Sequence, residues 1–274
     1  MKNSITAVIL SALFFTSCAN EFNKVYKTSD YAYKYEYAKQ CYAQGKYLRA
    51  STLLQGLVTL QKGTDNAQES LYMLGMAEYN SKDYEGAAAT FKKYYSSYPK
   101  GSYAEEAEFY AGMSLFNCTP EPRLDQSQTV NAISAFQEYI DLFPDGKYRG
   151  VAQDRLFELQ DKLVLKELYS AQLYYDMGQY FGNCTYGGNN YEACIITAQN
   201  ALKDYPYSKL REKFSLLVMK SKFELAQQSV EEKKLERFQD AEDECYGFIN
   251  EYPDSKDKVT AEKFISKCKA YTKD

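Results

Sequence analysis

The residue whose type and position carry a defined chemistry is Cys18. It follows Phe15-Thr16-Ser17, at the end of an apolar run from Ile5 to Phe15 that begins after the positive Lys2. A run of that length is too short to span a bilayer and reads as a signal peptide, residues 1–17, cleaved before Cys18. Cys18 thus puts a nucleophilic thiol directly after the cleavage point. The remaining cysteines, Cys41, Cys118, Cys184, Cys194, Cys245 and Cys268, form no C-x-x-C pair, and the chain has no His. A zinc site is therefore not expected. The missing His also removes the commonest general base near neutral pH, which counts against catalysis without excluding it.

Cys118 could pair with Cys184, or Cys184 with Cys194, in an oxidising compartment; spacing does not choose between them. Cys41, Cys194 and Cys245 fall at packing positions and read as small buried hydrophobes. The carboxylate pair Glu105-Glu106 does not converge on one substrate if it lies on a helix. Gly187-Gly188 lacks the spacing and the Lys of a phosphate cradle. No catalytic constellation, cofactor or metal is expected. The net charge of -4, spread without long single-sign blocks, gives no footprint for nucleic acid.

The segment around Cys18 resembles a lipoprotein lipobox, with Phe15 where Leu is usual; loose boxes of this kind resemble those of Bacteroidetes lipoproteins. The resemblance implies that the Cys18 thiol takes a diacylglyceryl group and that the amine freed by cleavage is acylated; several acyl chains, each buried CH₂ worth about 0.8 kcal/mol, hold far more firmly than one. Ala19 to Ser29 is polar and unpatterned, so residues 18–29 read as a tether ahead of a folded part, 30–274. No acidic run follows the cysteine, and a periplasm-facing position is expected.

The elements that such an anchor would carry are announced by four similar segments: Tyr98-Pro99-Lys100-Gly101, Phe143-Pro144-Asp145-Gly146, Tyr205-Pro206-Tyr207-Ser208 and Tyr252-Pro253-Asp254-Ser255. Each proline ends one helix, and the small or hydroxyl residue beside it suits the start of the next. Twelve residues before the prolines stand Ala87, Ala132, Cys194 and Ala241; eight before stand Phe91, Phe136, Ala198 and Cys245. Gly75, twelve before Ala87, completes TPR spacing, in which small residues let two helices approach and an aromatic ring fills the gap. Ala38 and Ala50, with Leu54 and Leu57, give a first unit without a terminal proline. Insertions are expected between the helices of units three to five, at Cys118–Thr129, Gly182–Asn190 and around Ser229–Arg237. Apolar Val151, Leu156, Leu159, Leu163, Leu168 and Leu173 predict one long helix or two nearly continuous ones between Lys147 and Tyr180. The fold class is all-α, a right-handed superhelix of about five TPR-like hairpins, with an N-terminal half of about 30–148 and a C-terminal half of about 149–274.

A repeat array buries its faces by stacking neighbours and leaves an extended concave surface. In the register set by Gly75, two positions on one face of the first helices read Tyr35 and Tyr42, Tyr72 and Tyr79, Phe109 and Phe116; a third reads Lys39, Met76 and Met113. These residues either line an aromatic and Met-rich groove for extended apolar peptides or, if the register is off by one residue, pack between repeats.

The lipobox, the five units, the Tyr-Pro turns and the long helix before Tyr174-Tyr175-Asp176-Met177-Gly178-Gln179-Tyr180 together resemble the BamD (YfiO) family of outer membrane assembly lipoproteins, most specifically over Tyr79 to Pro99 and Tyr174 to Pro206. The longer insertions and extra cysteines depart from it. The resemblance implies a non-enzymatic scaffold of the β-barrel assembly machinery, anchored in the outer membrane and facing the periplasm. Its C-terminal repeats, within 178–274, would hold the POTRA domains of a BamA-type barrel protein, alongside other assembly lipoproteins, and its N-terminal groove would take unfolded outer membrane proteins, which typically end in an aromatic residue. Two alternatives stand beside it: another envelope TPR scaffold or a SusD-like glycan-binding lipoprotein, and a hydrolase using Glu or Ser.

Overall fold

A computed structural model describes residues 21–64, 66–178 and 189–272. Cys18, Cys184 and the signal segment lie outside the described residues. After a helical stretch at 21–27, the helices are α1 (Tyr31–Ala43), α2 (Tyr47–Leu60), α3 (Ala67–Asn80), α4 (Tyr84–Ser97), α5 (Ala104–Asn117), α6 (Ser127–Leu142), α7 (Arg149–Asp176), α8 (Asn190–Asp204), α9 (Arg211–Gln227), α10 (Glu231–Glu251) and α11 (Lys258–Thr272). The protein is all-α, without strands among the described residues, and builds five TPR-like hairpins followed by α11. Consecutive helices pack against one another from α1 to α6 and from α8 to α11.

The spacing rule found in the sequence is the core of each hairpin. Ala87, Ala132, Cys194 and Ala241, and Phe91, Phe136, Ala198 and Cys245, are all fully buried. Gly75 and Gly112 exist to admit rings: a Cβ on Gly75 would stand 2.6 Å from Cε1 of Phe91, and one on Gly112 would stand 3.0 Å from Phe136. In the first hairpin the same two places hold Ala38 and Leu54, both fully buried. A larger first residue is matched by a smaller second one, as close packing requires.

The turns differ by hairpin in a way the prolines alone do not disclose. The Tyr94 hydroxyl accepts the backbone N–H of Tyr103 (3.2 Å) at the start of α5, and the Tyr139 hydroxyl accepts that of Tyr148 (3.0 Å) just before α7. Both helices thus gain an acceptor for an otherwise orphaned donor. The hydroxyls need room, and Gly101 and Gly146 leave it: a Cβ on either would lie 2.6 Å from the tyrosine oxygen. Where Ala201 and Phe248 replace these tyrosines, Ser208 and Ser255 replace the glycines and their own hydroxyls accept the N–H of Leu210 and Asp257.

The chain forms two compact units. Unit 1 holds the described residues up to Pro120 and Ser127–Leu159; unit 2 holds Glu121–Gln126 and the residues from Gln160 onward. The division falls inside α7, later than the expected 148/149 boundary, because the two ends of this helix serve different cores. Ala152 and Leu159 pack with Phe109, Phe136 and Tyr139, whereas Val164, Leu168 and Ala171 pack with Cys194, Ala198 and Phe214. The long helix is continuous over Arg149–Asp176, but Val151 and Leu173 are exposed and take no part in either core.

Two expectations about connections change. Around Ser229–Arg237 there is no inserted loop: α10 begins at Glu231, so the extra residues lengthen a helix. The stretch expected as a tether is helical at 21–27, and Val25, only 2% exposed, packs with Tyr35, Ala38 and Leu54. The insertion after α5 is ordered by Gln126, whose Nε2 donates to the carbonyls of Glu121 (2.8 Å) and Leu124 (3.1 Å). Gly182–Asn190 lies almost wholly outside the described residues.

Candidate protein-binding surface

The nine aromatic, Met and Lys residues predicted to line a groove separate into two sets. Tyr35 and Phe109 are 3% and 5% exposed and stand in core clusters, so their side chains cannot meet a ligand in this structure. Tyr72 is half-buried and committed: its ring stacks on Tyr103 at 4.3 Å and 7°, and its hydroxyl donates to Glu106 Oε2 at 2.7 Å. Phe109 makes the equivalent stack on Tyr148, at 4.4 Å and 12°. These first-helix positions therefore join one repeat to the start of the helix after next. Spacing does not separate the two sets, because residues seven apart stand on the same helix face; they differ in what each meets, as the stacks on Tyr103 and Tyr148 show.

The other set keeps partial exposure. Met76 and Tyr79 pack at the edge of the second hairpin's core, and Met113 and Phe116 at the edge of the third. Tyr42 sits beside Cys41, Ala50 and Ala77, edge-on to Tyr47 at 5.4 Å. Tyr79 repeats this with Tyr84 at 5.5 Å, while Asn117 donates to its hydroxyl at 3.3 Å. Arg155 lies over the Phe116 ring, 5.0 Å from its centroid. Lys39 lies over Tyr35 at 5.3 Å and pairs with exposed Glu36. The arrangement offers half-covered rings, thioether groups and cations, which suits contact with a chain by area rather than by reaction.

Glu105 and Glu106, read from the sequence only as a pair that does not converge on one substrate, are the feature that spacing missed. Glu105 Oε1 accepts the Tyr139 hydroxyl (3.0 Å) and the Lys147 N–H (2.6 Å). Glu106 accepts the hydroxyls of Tyr72 and Tyr148, the latter at 2.9 Å, and so ties α3 to the residue that precedes α7. Burial, reinforced by these carboxylates, raises the pKa of Tyr139 to about 12 and that of Tyr72 well above the ordinary tyrosine value. Both hydroxyls remain protonated donors. Their only sequence signal was two acids in the first turn of a helix, which the helix dipole also explains.

Unit 2 presents a cleft of about 470 Å³ between α7 and α9, floored by Leu168, Leu217 and Tyr175 and rimmed by Lys213, Lys220 and Glu212. A second hollow of about 360 Å³ adjoins it across Tyr169 and Gln172, reaching Lys166, Leu173 and Arg123. Arg123, from the insertion, lies 4.8 Å from the Tyr169 ring centroid. Cys118, Cys194, Cys245 and Cys268 carry free thiols; the last three are fully buried, and burial pushes their pKa values up. A buried protonated thiol is a packing group, not a nucleophile.

The family described as Outer membrane lipoprotein, YfiO, matches residues 27–184. Among curated proteins, the putative outer membrane protein assembly factor BamD of Aquifex aeolicus is 26% identical over 177 residues, 64% of this chain and 57% of that protein. The outer membrane protein assembly factor BamD of Caulobacter vibrioides is 22% identical over 176 residues, 63% of this chain and 58% of that protein. In both cases the matched stretch spans less than two thirds of the relative's length. The family match begins just before α1, continues past the end of α7 and takes in more than half of the sequence, and on that ground the chain belongs to the YfiO family of outer membrane lipoproteins.

Proposed function

We propose that the chain is a non-enzymatic scaffold of the outer membrane β-barrel assembly machinery, held to the outer membrane by lipid on Cys18 and facing the periplasm. The observation that carries this reading is the family match over residues 27–184, which spans the hairpins of unit 1 and the long helix. The partly exposed Tyr42, Met76, Tyr79, Met113 and Phe116, with Lys39, take unfolded outer membrane proteins that end in aromatic residues. Rings and thioethers supply adaptable contact area for such segments. Unit 2, with its lysine-rimmed cleft along α7, holds the POTRA domains of a BamA-type barrel protein and neighbouring assembly lipoproteins. No cofactor or nucleic acid enters this scheme.

The test is a crosslinked pull-down of the tagged, full-length chain from native outer membrane. A barrel protein carrying POTRA domains should be among the products, and its absence would sink the reading. Charge reversal at Lys213 and Lys220, which rim the cleft, should lower its yield several-fold with helicity unchanged.

A further inference from the structure

The stretch between the lipid-bearing position and the first hairpin is too short to act as a leash. Only Ala19 and Asn20 separate Cys18 from Glu21, and residues 21–27 are helical. Three residue steps reach at most about 10 Å, and the helix adds about 1.5 Å per residue. Tyr26 therefore lies within about 18 Å of the anchor.

This segment is fastened to the hairpin, not merely near it. Val25 is buried in the first core; the Lys34 ammonium donates to the Tyr26 carbonyl at 2.9 Å; and the Asp30 N–H donates to the Thr28 hydroxyl at 3.2 Å. Whatever holds Cys18 must also hold α1 and α2 close by. The headgroup layer outside the hydrocarbon core is only about 5–8 Å deep on each side, so a folded hairpin anchored this tightly must meet it.

The side chains on that surface suit such a neighbour. A strip of contacts runs from Arg49 over Phe22 (5.5 Å), through Phe22 against Tyr26 (6.2 Å), to Lys34 over Tyr26 (6.0 Å) and Tyr31 (5.9 Å). Tyr26 and Tyr31 are 51% and 46% exposed, and Leu48, next to Arg49, is 72% exposed. Residues 21–49 carry six cations against three carboxylates, in a chain whose net charge is -4. Tyrosines put an apolar ring and a polar tip across a membrane–water boundary, and lysine and arginine reach lipid phosphate from beside them.

We propose that this Phe22–Tyr26–Tyr31 strip, with Lys34 and Arg49, rests on the phosphate-bearing surface of the bilayer that holds the anchor, so that the first hairpin is fixed against the membrane. The inference rests on Cys18 lipidation as proposed above.

The chain contains no tryptophan, so Tyr26→Trp gives a single fluorescent reporter, and Tyr31→Trp gives a second if the first perturbs folding. The full-length lipidated protein is reconstituted in phosphatidylethanolamine–phosphatidylglycerol vesicles with or without brominated acyl chains, and helicity is checked by circular dichroism. Emission should shift to the blue relative to the unanchored Cys18→Ala protein, and brominated lipid should quench it at least about two-fold. Vesicle flotation and mass measurement of Cys18 read the anchor separately. A chain that floats while its reporter keeps the unanchored spectrum and escapes quenching overturns the inference alone. A chain with no lipid on Cys18 overturns the anchor and the inference together.

Discussion

Gly75 and Phe91 show how a single atom governs a repeat. Placing a methyl group 2.6 Å from a fully buried ring overpacks the core, and Gly75→Ala should cost about 1–3 kcal/mol, read as a lower urea midpoint. Adding Phe91→Leu recreates the Ala38–Leu54 pairing of the first hairpin, and the double variant should recover part of the loss; purely additive destabilisation would show that the two positions do not share volume. Glu108 is a second residue-scale case. Only 3% exposed, it is raised to a pKa of about 7 by burial, with Glu138 adding to the shift and Lys92 opposing it. The folded chain then binds this proton more tightly than the unfolded chain does. Stability must fall as pH rises from about 4.3, the unfolded value, through about 7. Glu108→Gln should therefore gain about 3–4 kcal/mol at pH 8 and almost nothing at pH 4. An equal effect at both values would refute the burial argument.

Among the elements, the first two hairpin turns are the same structure built from different residues. Gly45 donates to the Tyr42 carbonyl and Lys46 to that of Cys41; Lys82 and Asp83 repeat both bonds with Tyr79 and Glu78. The turn needs a left-handed residue, and it is Gly45 at φ 71° in one and Lys82 at φ 68° in the other. A side chain there costs about 1 kcal/mol relative to glycine, partly offset by the entropy that glycine adds to the unfolded chain. Lys82→Gly should stabilise unit 1 by about 0.5–1 kcal/mol in thermal melts, and a lower melting temperature would mean that Lys82 makes a compensating contact. The tyrosine-with-glycine and serine-with-alanine or phenylalanine versions of the proline turn make the same point. A repeat constrains the donor to be satisfied, not the residue that satisfies it.

For the molecule as a whole, the division of the predicted groove into packed and exposed residues has functional consequences. Tyr79→Ala together with Met113→Ala should weaken binding of an aromatic-ended peptide about ten-fold, equivalent to about 1.4 kcal/mol, while circular dichroism stays unchanged. Phe109→Ala, which empties a core position stacked on Tyr148, should instead lower stability by about 3–5 kcal/mol. Peptide affinity that tracks stability in all these variants would place the binding surface elsewhere.

The sequence by itself determined the helical hairpins, their number and the identity of their innermost residues, because close approach of two helices restricts those positions to small side chains and fillers at fixed spacing. It also singled out Cys18 as the proposed lipid site, since a signal-peptide pattern is read locally. Tertiary structure alone decided that Tyr35, Tyr72 and Phe109 are interface while Tyr42, Tyr79 and Phe116 keep solvent, because residues seven apart share one helix face and differ only in what the neighbouring repeat places against them. It also decided that residues 21–27 fold onto the first hairpin instead of trailing from it. Nothing in a polar eleven-residue stretch reveals that one valine, Val25, has a core waiting for it, because that core is assembled from α1 and α2 further along the chain.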